Sequence, residues 1–218
     1  MNKYFYLLAA GLLLVYTGRA QVKKGESLLG GNLYFQKVDN NPVTPNNSNA
    51  TTTIVAPSIG KAMADNLVVG VSPFYGYSKW VEADGSNPLY TLKQWSYGLT
   101  FFVRRYKDLG HNFSIFAEGD LSGDYSRQKG SYEGANSLFV DSKGYSASAS
   151  LNGGIAYRLT RRWMVETGFR SLAYAAYTHS EEDGSITQGL QKYKSFHLGT
   201  NLNNALNNFS IGCRYMLN

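Results

Sequence analysis

Tyr145-Ser146-Ala147-Ser148-Ala149-Ser150-Leu151-Asn152 alternates residue by residue between an apolar side chain and a small polar one. Successive side chains of a β-strand point to opposite faces, so this stretch has one greasy face and one polar face. The pattern continues through Ile155 and Tyr157 on the apolar side and Arg158 on the other. A soluble sheet puts Lys, Glu and Asp on its wet face. Here the polar face is serine, small enough to line a narrow tube.

The same alternation recurs along the chain. Leu67, Val69, Val71, Pro73, Tyr75 and Tyr77 oppose Val68, Gly70, Ser72, Phe74, Gly76 and Ser78. Trp95, Tyr97, Leu99, Phe101 and Val103 oppose Ser96, Gly98, Thr100, Phe102 and Arg104. Phe113, Ile115, Ala117 and Leu121 oppose Ser114, Phe116, Glu118 and Asp120, and Ser27 to Val38 turns Leu29, Gly31, Leu33 and Phe35 to the apolar side. Nothing in the sequence reads as a helix able to cover these faces, so lipid is the simplest cover.

Connection lengths alternate too. Short links fall at Met63 to Asn66, Lys107 to Asn112 and Thr160 to Arg162. Long polar segments fall at Asp39 to Ala50, Val81 to Leu92, Arg127 to Lys143 and Ser180 to Gln191. Three short and four long connections join eight strands. The expected fold is therefore all-β, a single eight-stranded antiparallel up-and-down transmembrane β-barrel with short periplasmic turns and long extracellular loops. The C-terminal region departs from strict alternation. Phe196, Leu198, Thr200 and Leu202 are even, whereas Phe209, Ile211, Cys213, Tyr215 and Leu217 are odd. A bulge or a turn in Asn203 to Asn208 changes the parity, and the bulge or irregular break keeps the count at eight.

Residues 1–20 read as a secretory leader: Lys3, an apolar run from Tyr4 to Tyr16, and Thr17-Gly18-Arg19-Ala20 as a cleavage region. Residues 21–218 then form the barrel domain. The apolar run is shorter than the roughly 20 residues a spanning helix needs. One cysteine, Cys213, excludes an intramolecular disulfide, so an exported chain of this kind draws its stability from a core, a membrane or both. The formal charge of +6 is too small for a nucleic-acid footprint, and export argues against that partner. With 17 Tyr, 11 Phe and 23 Gly among 218 residues, composition favours strands and tight turns over helices.

Several stretches, taken in order, resemble the porin-like outer-membrane β-barrel family, the small single-domain barrels of OmpA and OmpX type. They are Gly25-Glu26-Ser27-Leu28-Leu29-Gly30-Gly31, Pro57-Ser58-Ile59-Gly60, Ala64-Asp65-Asn66-Leu67 with Gly70, Phe102-Val103-Arg104-Arg105-Tyr106, and Phe209-Ser210-Ile211-Gly212-Cys213-Arg214-Tyr215. The resemblance implies a barrel fold in the cell outer membrane and little about activity. Such barrels usually end on an aromatic residue, and this chain ends Met216-Leu217-Asn218.

Seven charged residues fall in the inward series: Arg104, Glu118, Asp120, Arg158, Glu166, Arg170 and Arg214. Buried charges persist when paired, so salt bridges are expected across the lumen as a structural plug, and a gated pore is the functional alternative. A lipid-modifying enzyme would need a Ser and His pair. His179 and Ser180 are adjacent in a strand and point to opposite faces, His197 is inward, and His111 sits in a turn. No catalytic, cofactor or metal site is expected: Asp84-Gly85-Ser86 and Asp183-Gly184-Ser185 read as loop turns, and Cys213 faces lipid. Trp80, Trp95, Trp163, Tyr106, Tyr125, Tyr157 and Tyr177 are candidates for interface girdles. The expected role is non-enzymatic, structural or surface-interacting through the loops, with a narrow small-solute channel as the alternative and a lipid-modifying enzyme as the second. Expected partners are outer-membrane lipid and an unnamed extracellular ligand, with oligomeric state open.

Overall fold

Every strand pairing among the described residues is antiparallel. A computed structural model describes residues 22–40, 46–84, 87–132, 139–184, 191–200 and 209–217. The strands are β1 (Ser27–Asn40), β2 (Asn46–Ala64), β3 (Leu67–Asp84), β4 (Asn87–Gly110), β5 (Phe113–Tyr132), β6 (Phe139–Arg158), β7 (Trp163–Gly184), β8 (Gln191–Thr200) and β9 (Phe209–Leu217). The leader expected over 1–20 and the break expected at Asn203 to Asn208 lie outside the described residues.

β7 pairs with β6 on one edge and with two strands on the other: β9 along Trp163 to Phe169 and β8 along Ala173 to Glu182. β8 and β9 thus stand end to end as one wall, and β9 closes onto β1 from Ser27 opposite Leu217 to Tyr34 opposite Ser210. The result is a ring of eight walls. From Phe169 to Ala173 the partner strand runs from Phe209 back to Thr200, so β7 advances four residues while the partner advances nine. The odd surplus of five moves the outward set from even positions in β8 to odd ones in β9.

The ring is strongly staggered. From Tyr34 the ladder leads through Ile54, Gly76, Ser96, Ser126 and Gly144 to Ser180, and the other way through Ser210 to Gly168. The two routes reach β7 twelve residues apart, two of which belong to a bulge at Arg170 to Leu172 opposite Asn152. Such stagger forces the strands to tilt about 35–45° from the barrel axis.

The short links are tight. His111 and Asn112 both have positive φ, 51° and 69°, the conformation of a two-residue hairpin turn whose twist matches the strands. Asn66 has φ 62° at the β2–β3 turn. In the β6–β7 turn Thr160 Oγ1 accepts from the Arg162 and Trp163 amides at 3.2 and 3.0 Å.

The bounds expected for the long loops need correction. Val81 to Leu92 is largely ladder, with Val81 opposite Thr91 and a last pair Asp84 to Asn87. Arg127 to Tyr132 pairs within β5, Phe139 to Lys143 within β6, Ser180 to Gly184 within β7, and Asn46 to Ala50 within β2. Asp84, Asp183 and Gly184 are therefore strand residues and not turn residues. Alternation reports burial, and it fades where both faces of a wall are wet. A polar strand there has the composition of a loop.

Candidate functional site

The inward face of the lower barrel carries a paired charge layer. Glu166 on β7 accepts from Arg104 Nη1 of β4 at 2.5 Å and from Arg214 Nε of β9 at 3.0 Å. Its other oxygen accepts from the Tyr106 hydroxyl at 2.6 Å. Arg104 Nε donates to Glu118 of β5 at 2.6 Å, and Arg214 Nη1 donates to Ser58 of β2. Arg104, Glu166 and Arg214 are 2%, 4% and 3% exposed. Two arginines against two glutamates neutralise the layer, and charge-assisted bonds satisfy groups that would otherwise be costly to bury. The Arg104 guanidinium also lies 4.4 Å from the centroid of the Phe116 ring.

Asp120 lies higher, held by Asn152 Nδ2 at 2.6 Å. The same Asn152 accepts from the Ser171 amide at 2.7 Å, and Ser171 has φ 53° inside the β7 bulge. One side chain, which also reaches Glu118 at 3.4 Å, thus ties the carboxylates to the bulge of β7. Arg158 and Arg170 do not join the layer. Arg158 Nη2 donates to Met216 Sδ at 3.3 Å while its buried Nε has no partner among the described residues, and Arg170 lies 5.9 Å from the Tyr34 ring centroid.

Beneath the charges the lumen ends in an apolar floor of Leu28, Ala62, Val68, Ala156, Met164 and Met216. Val22 is wholly buried there, strapped by its carbonyl to the Asn66 amide at 2.8 Å and by its amide to Asn66 Oδ1 at 3.2 Å. The space left over the charge layer is about 50 Å³, bordered by Ser58, Ser72, Thr100, Asp120 and Asn152. That admits a few water molecules. Upward, the lumen face is small and polar: Thr52 and Ser78 share a 3.0 Å hydrogen bond, Thr100 and Ser122 one of 2.9 Å, and Ser146 donates to Asp124. The interior is a cup with a closed base.

Tyr106 belongs to this interior. It is 3% exposed and hydrogen-bonded within the charge layer, not in an interface girdle. Its parity with Phe102 and Arg104 was the available signal. Trp80 likewise shares the inward parity, opposite Ala50 and Leu92. The partners Ser58, Asn152 and Asn32, the last accepting from Arg214 Nη2 at 3.3 Å, carry no pattern of their own, because a small polar residue is common at every inward position.

The outer face is apolar around the ring. Phe101, Leu121, Phe196 and Leu198 are 56%, 61%, 69% and 79% exposed, and Leu29, Leu33, Val55, Ile59, Val103, Leu151 and Ile211 are exposed with them. So large an apolar surface marks an interaction with lipid or protein. Cys213 is on this face, opposite Val165 and Gly31. Aromatic belts bound it. The lower holds Phe113 against Tyr157 at 4.6 Å and Trp163 against Tyr215 at 5.0 Å between ring centroids. The upper holds Tyr97, Tyr125 and Tyr145, each 5.2 Å from the next, and Tyr77 against Trp95 at 5.9 Å. Twelve residues separate Phe113 from Tyr125 and Tyr145 from Tyr157. At about 3.3 Å per residue and a tilt near 40° that is roughly 30 Å, the thickness of a bilayer core. Among the described residues no helix is long and apolar enough to cross a membrane.

Above the upper belt the wall continues as a crown. Arg127 donates to both oxygens of Asp141, at 3.0 and 2.6 Å, and this bond holds the Asp141 carboxyl below its ordinary range. Lys192 pairs with Glu181 at 2.8 Å and lowers the Glu181 carboxyl in the same way. His179 faces outward opposite Tyr145, Ser180 faces inward opposite Gly144, and His197 lies inward opposite Ala176. No Ser and His pair is formed by these residues.

No family model matches the chain, and no curated protein matches it. Solved structures do. A major outer membrane protein from Thermus thermophilus is 10% identical over 88% of this chain and 99% of its own, with a TM-score of 0.43. The outer membrane protein OprG from Pseudomonas aeruginosa is 16% identical over 91% and 99%, with a TM-score of 0.42. Neisserial surface protein A is 13% identical over 88% and 97%, with a TM-score of 0.35. The likeness is one of fold, and the chain's own strand pairing establishes that fold: an up-and-down antiparallel β-barrel.

Proposed function

We propose that the protein is exported by a leader over 1–20 and that residues 21–218 form an integral barrel of the cell outer membrane. Its role is non-enzymatic, structural or surface-interacting, exercised through the crown and its outer connections. The observation that supports this reading is the base of the lumen, where the Arg104–Glu166–Arg214 layer lies on an apolar floor sealed by Val22. A barrel of about eight walls has an interior just filled by side chains. Solute passage would require these pairs to separate in a low-dielectric space, a step costing several kcal/mol per ion.

Planar-bilayer recording from refolded protein tests this. Wild-type protein is expected to insert without stable unitary conductance. Stable unitary steps would replace the reading with that of a small-solute channel.

A further inference from the structure

Cations on the outer wall face one another across the ladder. Lys79 of β3 stands directly opposite Lys93 of β4, and Lys93 directly opposite Lys129 of β5. All three share the outward parity of Tyr77 and Trp95. Direct cross-strand neighbours have Cβ atoms about 4.5–5.5 Å apart, and like charges so placed are destabilising. Lys129 also meets Asp141 across the next ladder, but both oxygens of Asp141 are engaged by Arg127. Among the described residues neither Lys79 nor Lys93 has an ion-pair partner.

The row sits at a particular depth. Tyr77 and Trp95 lie one outward step below Lys79 and Lys93, their rings 5.9 Å apart, and Arg127 is opposite Trp95. Below them the wall is apolar through Tyr75, Leu99 and Phe101. Cations at the lower rim are arranged differently: Lys61 faces Ser27 and Val69, and Arg105 faces Leu67 and Ala117. Repulsion is thus concentrated at the upper rim, where a phosphate would remove it.

We propose that Lys79, Lys93 and Lys129, over the Tyr77–Trp95 shelf, bind the phosphorylated headgroup of an outer-leaflet lipid whose acyl chains lie on the apolar wall below. The inference rests on the bilayer placement given under Proposed function. A lipid is favoured over a soluble anion because the row is outside the lumen and continuous with the apolar band. Exposed charges alone give a soluble anion little, since salt screens them within about 8–10 Å.

The test uses full-length refolded protein in zwitterionic detergent, offered diphosphoryl lipid A, monophosphoryl lipid A or phosphatidylcholine, with retained lipid counted by native mass spectrometry. Wild-type protein is expected to retain the diphosphoryl lipid at least tenfold over phosphatidylcholine, with the monophosphoryl form between, and to release it in 1 M salt. The double substitution Lys79→Gln, Lys93→Gln is expected to cut retention at least fivefold, while Lys61→Gln at the other rim leaves it unchanged. The double variant should fold at least as stably as wild type in lipid-free detergent, because a repulsion is gone. Equal retention by wild type and the double variant, indifference to salt, or pyrophosphate binding as tightly as the lipid would each overturn the proposal. Failure of the wild type to insert into phosphatidylcholine vesicles would instead overturn the bilayer placement.

Discussion

The base of the lumen and the crown are made from the same strands, and they handle charge in opposite ways. At the base, Arg104, Arg214, Glu118 and Glu166 are removed from water and each is bonded, so any one deletion leaves a partner stranded. In the crown, Arg127 and Asp141 keep side-chain exposures of 42% and 31%, and water stands ready to replace either. Desolvation decides the energetic weight of a charge pair, more than distance does. The Arg104–Glu118 and Arg127–Asp141 contacts are both 2.6 Å long and differ chiefly in this respect.

The comparison breaks first at Glu166. Glu166→Ala leaves Arg214 Nε and the Tyr106 hydroxyl without their acceptor, and the expected loss is about 3–5 kcal/mol, read as a lower urea midpoint of the heat-modifiable folded band in vesicles. An unchanged midpoint would show that water enters the base freely. A smaller effect is expected at Gly154, where an added Cβ would run into the Thr167 carbonyl oxygen and lie 2.7 Å from Gly168 Cα. Both contacts are backbone, so Gly154→Ala should cost about 1–3 kcal/mol through displacement of the β6–β7 ladder.

Asn152→Ala tests the tie between the charge layer and the bulge. It frees the Ser171 amide and one Asp120 oxygen, and a loss of about 1–2 kcal/mol is expected by the same gel assay. The smallest effect belongs to the crown. Asp141→Asn should shift the midpoint only slightly. Because the folded Asp141 carboxyl is held below its unfolded value, the pair's contribution is present above about pH 4 and is lost as pH falls through the lower folded value. The difference between variant and wild type should therefore hold from pH 8 to about pH 5 and vanish in strong acid. A difference growing toward low pH would give the pair the wrong sign.

The sequence made the part between the two aromatic belts readable because there the two faces of each strand differ in exposure and polarity. Ser148 and Ala149 differ in environment, and so the alternation from Tyr145 to Asn152 can be seen. Lys79 and Trp80 are both exposed although they point to opposite faces, and Arg127 to Ser131 is polar on both faces, so nothing in their order separates strand from loop. The inward charges could be placed by parity alone. Their partners could not, because register decides whether Arg104 meets Glu118 or Asp120, and register depends on turn geometry at His111 and Asn112. The surplus of five residues between β8 and β9 showed only as a change of parity.

The three tryptophans fall at three depths: Trp163 in the lower belt, Trp95 in the upper belt, and Trp80 on the inner face of the crown. The chain therefore carries its own optical ruler. Quenchers fixed at known depths in a bilayer would dim Trp163 and Trp95 from opposite leaflets and spare Trp80. Single-tryptophan variants would then time the arrival of each level as the barrel inserts.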